Sequence, residues 1–191
     1  MKKVIAVLGL ITATSSAYAD WTLVKDQSSF TFASIKKVNV YEAHTFNSYS
    51  GMIDDSGMAS LKLDLTSVNT GIEIRDQRMN KMLFDTEKFA SADFSAKVDP
   101  KVLAGLKPGQ RETMMLDGKL ALHGMEKAVK AEVNLFRLSE NRVLVSTAKP
   151  VVVKAGDFAL VKGVEALREI AGLPSITTTV PVNFDLVFEH K

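Results

Sequence analysis

The chain has 191 residues, and among them are no cysteine, one tryptophan, three histidines and five prolines. Without cysteine there is no disulfide, no thiol nucleophile, no thiolate metal site and no thiol redox chemistry, so stability rests on packing alone. The histidines His44, His123 and His190 are scattered, with no carboxylate or second histidine at ligand spacing, which speaks against a metal centre. Taken singly, His44 reads as a solvated or hydrogen-bonded residue and His123 as an exposed turn residue. The usual catalytic signatures are missing too: no Gly-x-Ser-x-Gly elbow, no paired-histidine zinc motif, no phosphate-cradling glycine loop and no dinucleotide fingerprint. Neither an enzyme nor a cofactor follows from this inventory. Charge of one sign is also lacking, with 24 basic residues against 22 acidic ones.

What is present begins with an export pattern. Met1-Lys2-Lys3 is a positive start, Val4 to Ile11 is an apolar run, and Ala17-Tyr18-Ala19 is a small-x-small cleavage site. Residues 1–19 therefore read as a secretory signal peptide. The apolar run is too short to remain as an anchor, because a bilayer needs about 20 apolar residues. Losing Lys2 and Lys3 brings the basic residues level with the 22 acidic ones, and a neutral surface speaks against a nucleic-acid partner. Removing the first 19 of 191 residues leaves 172, the size of one domain over residues 20–191.

Most of that domain alternates with period 2, the mark of half-buried strands. Trp21 to Val24 and Ser29 to Ala33 flank a Lys25-Asp26-Gln27 turn, and Val38, Val40 and Glu42 extend the pattern towards Phe46. Ala59, Leu61, Leu63 and Leu65 form an odd-numbered row; Ala92, Phe94, Ala96 and Val98 form another row further on. The even row Met114 to Leu122 and the odd row Val129 to Leu135, joined through His123-Gly124-Met125-Glu126, are the clearest hairpin. Pro100 to Arg111 reads as a loop with at most one helical turn, and Arg142 to Val153 as a strand that Pro150 confines to an edge or a bulge. Val161, Val164, Leu167 and Ile170 fall at helical spacing before Gly172 and Pro174, and this helix is expected to pack on the sheet. Every even position from Ile176 to Phe188 is apolar or Thr, a strand long enough for a tall barrel wall.

Thr66 to Phe94 breaks the alternation. Thr70 and Glu73 have the spacing of a capping box, and a helix from Gly71 to Leu83 would place Ile72, Met79, Met82 and Leu83 on one face. Phe84 ends it and Asp85 caps the turn that follows. Arg75 and Asp76 are neighbours that do not face each other, so Arg75 is expected to reach a strand end or rim and Asp76 the backbone or a cation. About eight antiparallel strands and two helices result, and closing those strands into a barrel removes exposed edges. Such a barrel is either filled by its side chains or holds one small ligand. The small residues Ala59, Gly118, Ala131 and Thr178 interrupt the larger apolar rows and lean towards a cavity.

The segments TSVNT, RD and LFDTEKFASADF within residues 66–94, and LDGKLALHGMEKAV at Leu116 to Val129, resemble the YceI-like family. The resemblance extends over nearly the whole mature chain. It implies a small periplasmic, lipocalin-like barrel of eight antiparallel strands with two short helices, binding or carrying a long-chain isoprenoid, a quinone-like molecule or another amphiphilic lipid. On that reading the apolar cavity is lined by Phe30, Phe32, Phe46, Met79, Leu83, Phe84, Leu116, Gly118, Leu120, Leu122, Ala131, Val133, Val182 and Phe184. Lys36, His44, Arg75 and Arg78 are the polar candidates for its rim, and the residues to test if the protein acts on a bound lipid. The competing class is a non-enzymatic secreted barrel that serves as an interaction or stress-response module, recognisable by a packed interior and an apolar patch outside. Transient membrane contact is compatible with either class. The pattern of residues 1–19 predicts that envelope-derived protein begins at Asp20 on N-terminal sequencing, and an intact Met1 would overturn it.

Overall fold

The computed structural model describes residues 21–190. Twelve strand segments, all paired antiparallel, form one sheet that closes on itself. Strands β1 (Trp21–Leu23) and β2 (Ser29–Lys36) lie end to end along one edge of β12 (Thr179–His190). Strands β10 (Arg142–Thr147) and β11 (Val151–Lys154) lie end to end along its other edge. Likewise β3 (Val40–Phe46) continues into β4 (Tyr49–Ile53), while β5 (Met58–Asp64) passes through a single 3-10 turn into the short β6 (Val68–Asn69). With β7 (Ser91–Lys97), β8 (Arg111–Leu122) and β9 (Met125–Ser139), these segments make eight walls in chain order, each hydrogen-bonded to the next. The expected eight-stranded antiparallel barrel is observed, and no helix among the described residues is long and apolar enough to cross a membrane.

Alternation sets the inside. The row Leu61, Leu63 and Leu65 is buried, as are Leu116 and Leu122 on β8 and Ala131, Val133 and Leu135 on β9. In the β8–β9 hairpin Leu116 is paired with Ala131 and Met114 with Val133, so the two predicted rows are neighbouring walls. Gly118 is where backbone and ring meet most closely. A Cβ there would stand 2.3 Å from Phe94 Cζ, because the Phe94 ring lies across the glycine from the adjacent strand.

The crossover differs from its sequence reading in instructive ways. Helix α1 spans Glu73–Arg78, and Met79–Phe84 continues it as a wider π-helical turn. The capping box does not form: the Asp76 carboxylate accepts both the Thr70 backbone N–H at 2.9 Å and the Thr70 hydroxyl at 2.5 Å. Glu73 instead accepts from the Gln77 amide one turn on. The widening at Met79 shifts the helical phase, so Met79 and Phe84 are buried while Ile72, outside the helix, is 50% exposed. Asp85 ends the turn in the left-handed region, its carbonyl receiving the N–H groups of Lys88 and Phe89.

Other boundaries shift for local reasons. A second helix, α2 (Pro100–Gly105), occupies the segment read as a loop; Asp99 caps it, Pro100 starts it, and Leu103 is buried. The segment from Arg142 to Val153 is two strands rather than one, because the chain leaves the ladder at Lys149-Pro150. The last strand begins at Thr179, and Ile176 makes only an isolated bridge with Lys36. Val38 does not extend the inner row: it sits at the tip between β2 and β3 with φ of 71° and is 84% exposed. Helix α3 (Val161–Ile170) turns Gly163 and Val164 inward, leaving Val161 and Ile170 exposed. A Cβ on Gly163 would stand 2.7 Å from the Met82 carbonyl oxygen, so glycine is what allows α3 to lie against the π-helical turn.

The contact at Gly118 yields a test. Gly118→Val should destabilise the barrel by about 1–3 kcal/mol through overpacking, measured by urea denaturation. Combining it with Phe94→Ala should recover part of that loss, giving a non-zero coupling energy; strict additivity would show that the ring is not the obstacle.

Candidate functional site

The site is built from the inward faces of the walls. On β2 the inward row runs Phe30, Phe32, Ser34, Lys36, and on the paired β3 it runs Phe46, His44, Glu42. Each row thus changes from aromatic to polar along its length. In the aromatic part, Phe46 contacts Phe30, Phe32 and Phe84, with ring centroids 6.1, 5.1 and 6.1 Å apart. These separations suit offset and tilted aromatic pairs.

Beyond the aromatic cluster the barrel encloses a cavity of about 220 Å³. Its walls include Leu61 and Leu63 of β5, Phe94 of β7, Met114 of β8, Leu135 of β9, Val145 of β10 and Leu186 of β12. One end is closed by Leu103 of α2, and the other by Leu83 and Phe84 of the π-helical turn with Leu160 and Val164 at α3. Among the lining side chains only Ser60 carries a polar atom. A cavity of this chemistry offers an apolar molecule dispersion contacts and removal from water, about 0.8 kcal/mol for each methylene buried. It offers almost nothing to a polar solute along its length.

Twelve of the fourteen expected cavity residues line this space: Phe30, Phe32, Phe46, Leu83, Phe84, Leu116, Leu120, Leu122, Ala131, Val133, Val182 and Phe184. Met79 is buried in the core away from the cavity surface, because the π-helical turn rotates it away. Gly118 is screened by the Phe94 ring. Phe94, Leu103 and the α3 residues are absent from the sequence expectation. Phe94 lies in a row recognised as alternating, whereas Leu103 and Val164 enter only through the placement of helices, which no periodicity encodes.

The polar candidates Lys36, His44 and Arg75 meet at the end of the β2–β3 wall. Glu42 joins them: its carboxylate accepts from Lys36 Nζ at 2.8 Å and from Arg75 Nη1 at 2.9 Å. The hydrogen bond from Lys36, with Arg75 adding its charge, holds the Glu42 carboxyl below its ordinary value. Arg75 Nη2 also donates to the Thr70 carbonyl at 2.6 Å. Glu42 continues the inward row of β3, with Lys36 on the adjacent strand, whereas Arg75 reaches it from α1, a meeting that no spacing along the chain encodes. Arg78 is half-buried, and its side chain makes no ion pair or hydrogen bond among the described residues.

Of the two histidine expectations, the one for His44 holds in its second form and the one for His123 is corrected. His44 is hydrogen-bonded and not solvated: it is 5% exposed on β3, 5.4 Å from the Phe32 ring, with Nε2 3.0 Å from the Ser34 hydroxyl. Burial, and then the charge of Arg75, lower its pKa from the ordinary value of 6.5. His123, at the β8–β9 tip with φ of 51°, is half-buried against the Phe89 ring, and its Nδ1 lies 3.1 Å from the Phe158 carbonyl. No group of three or more carboxylate or histidine side chains among the described residues is placed to hold a metal ion.

Comparison with known proteins places this geometry. A family model described as a YceI-like domain matches residues 21–188. A polyisoprenoid binding domain from Saccharophagus degradans, implicated in plant cell wall breakdown, is 39% identical, with a TM-score of 0.87 over 90% of this chain and 98% of that one. Burkholderia cenocepacia BcnA shares the fold at 19% identity, with a TM-score of 0.66 over 86% of this chain and 98% of its own. A Campylobacter jejuni YCEI protein does so at 16% identity, with a TM-score of 0.55 over 78% and 84% of the two chains. No curated protein matches the chain.

The two lowered pKa values make stability depend on pH. Below pH 6.5 the unfolded chain takes up a proton at His44 that the folded chain refuses, so stability falls as pH drops from there towards the folded value. Glu42 acts at lower pH: its contribution is present above 4.5 and is lost as pH falls through its folded value. Urea denaturation across this range should show both losses; His44→Gln should flatten the upper one alone, and an unchanged profile in that variant would overturn the assignment.

Proposed function

The chain belongs to the YceI-like family, and from that premise we propose that it binds or carries a long-chain isoprenoid, or another amphiphilic lipid such as a quinone, inside its barrel. The cavity carries this reading: about 220 Å³ of space whose lining is apolar but for Ser60. An apolar void costs dispersion contacts when it is empty, and a chain-like ligand restores them along the barrel axis. The likeness to a polyisoprenoid binding domain at 39% identity supports the same class of ligand. Export of residues 20–191 to the periplasm fits the pattern of the first 19 residues, which lie outside the described part of the chain.

The role is binding rather than catalysis. Arg75, Glu42 and Lys36 are committed to one another, which suits a fixed rim and not a nucleophile with its base. An interaction module remains the second reading, favoured by exposed Val38, Tyr41, Ile72 and Ile74, which project near this rim. That surface also suits brief contact with a membrane.

Native mass spectrometry of detergent-free protein should find a co-purifying apolar molecule of one main mass class. Ala131, 3% exposed on the cavity wall, sharpens the test. Ala131→Phe should leave the melting temperature of ligand-free protein near normal and greatly reduce lipid occupancy. A loss of roughly 1–3 kcal/mol in the ligand-free variant, the expected cost of overpacking a filled core, would count against an open cavity. Protein that is empty and also refuses added isoprenoid would favour the interaction module.

A further inference from the structure

The cavity is apolar almost throughout, yet the wall that leads out of it ends in a buried polar group with capacity to spare. His44 occupies the inward row between Phe46, inside the aromatic cluster, and Glu42, at the rim. Its Nε2 pairs with Ser34, while its Nδ1 is buried and has no partner among the described residues. A buried polar atom left unmade costs more than a made hydrogen bond contributes, so it signals a partner that arrives from elsewhere. The same is true of Arg75, whose Nε is buried and unpartnered although its two terminal nitrogens are engaged by Thr70 and Glu42. The two orphaned nitrogens belong to groups close enough to influence each other's charge, and Phe32, in contact with the His44 ring, lines the cavity. They stand where the polar end of a molecule would come to rest if its chain filled the barrel.

We propose that His44 and Arg75 form a head-group site for an uncharged, oxygen-bearing lipid head, such as a hydroxyl or carbonyl, at the polar end of the apolar cavity. This rests on the lipid-binding reading above and names the class of lipid. The fixed charges explain why the head is uncharged. Lys36 and Arg75 flank Glu42, and the Asp76 carboxylate accepts from Thr70, so each of these charges near His44 already has a partner within the protein. His44 itself is kept neutral by burial and by Arg75, against the opposing pull of Glu42 and Asp76. A neutral imidazole with one nitrogen free makes a hydrogen bond and supplies no charge to balance an anion. The polar rim thus sets the orientation of the ligand, head at the β2–β3 wall and tail towards α2.

Three probes with the same branched tail separate the possibilities: phytane, which has no head, phytol, which has a hydroxyl, and phytyl phosphate, which is an anion. The mature protein should bind phytol at least ten-fold more tightly than phytane, and more tightly than phytyl phosphate. The His44 Nδ1 nitrogen-15 resonance should move when phytol binds and stay in place with phytane. His44→Phe, which keeps a ring beside Phe32 but offers no nitrogen, should bind phytol and phytane alike; His44→Gln should retain part of the preference. Equal affinity of the unaltered protein for phytol and phytane overturns the head-group site while leaving lipid binding intact. Tightest binding of phytyl phosphate overturns the uncharged head. Failure of all three to bind removes the lipid-binding reading, and this inference with it.

Discussion

Closure of the sheet is the constraint on which everything else in this protein depends. The last strand, β12, is bordered on one edge by β1 and β2 and on the other by β10 and β11, so neither edge of that strand is left to seek another chain. A chain without a disulfide gains its order from this ring of main-chain hydrogen bonds and from the apolar rows it turns inward. Closure also fixes the interior volume, since eight strands leave a space that side chains either fill or nearly fill. Here the small residues Ala131, Ala92 and Ala59 keep part of it open.

The open space is usable because both ends of the barrel are managed. Leu103 on α2 plugs one end. At the other, the π-helical turn and α3 press Leu83, Phe84 and Val164 over the opening, and Gly163 permits that contact. The crossover from β6 to β7 is therefore a lid element as well as a connection. Its far side carries Arg75 to Glu42, so the covalent chain that closes the cavity also delivers the positive charge that completes the rim. Apolar interior and polar rim are separated along one pair of strands by two residues per step, the smallest interval at which a strand can change what it presents inward.

Much of this was legible beforehand because period-2 alternation is a local code. The Leu61–Leu65 row, the Met114–Leu122 row and the Val129–Leu135 row all read correctly, and the pairing of the last two followed from a hairpin of recognisable length. Ten of the twelve expected residues found on the cavity wall lie in such alternating rows, whereas Leu83 and Phe84 come from the helical crossover, as does Arg75 at the rim. The code failed where the backbone departs from a regular period. A π-helical widening at Met79 moved that residue off the cavity, and a left-handed turn at Lys37 and Val38 released Val38 from the inner row. The capping box at Thr70 was outcompeted by Asp76, one turn later, because a carboxylate that reaches both the amide and the hydroxyl of Thr70 makes two charge-assisted bonds.

The sequence by itself determined the fold class, the identity of the inward faces and the absence of thiol chemistry, since each depends on residue types and their spacing along one strand. Whether the interior is filled or hollow was decided only by tertiary structure, because volume depends on how eight rows converge and on what the helices insert at the ends. The character of His44 belongs to the same class. Nothing in its neighbours along the chain distinguishes it from a solvated histidine; its burial, its single bond to Ser34 and its proximity to Arg75 arise from β2, β3 and α1 meeting at one corner. Contacts between residues distant in sequence set local dielectric and hydrogen-bond supply, and those two quantities determine what a polar side chain does.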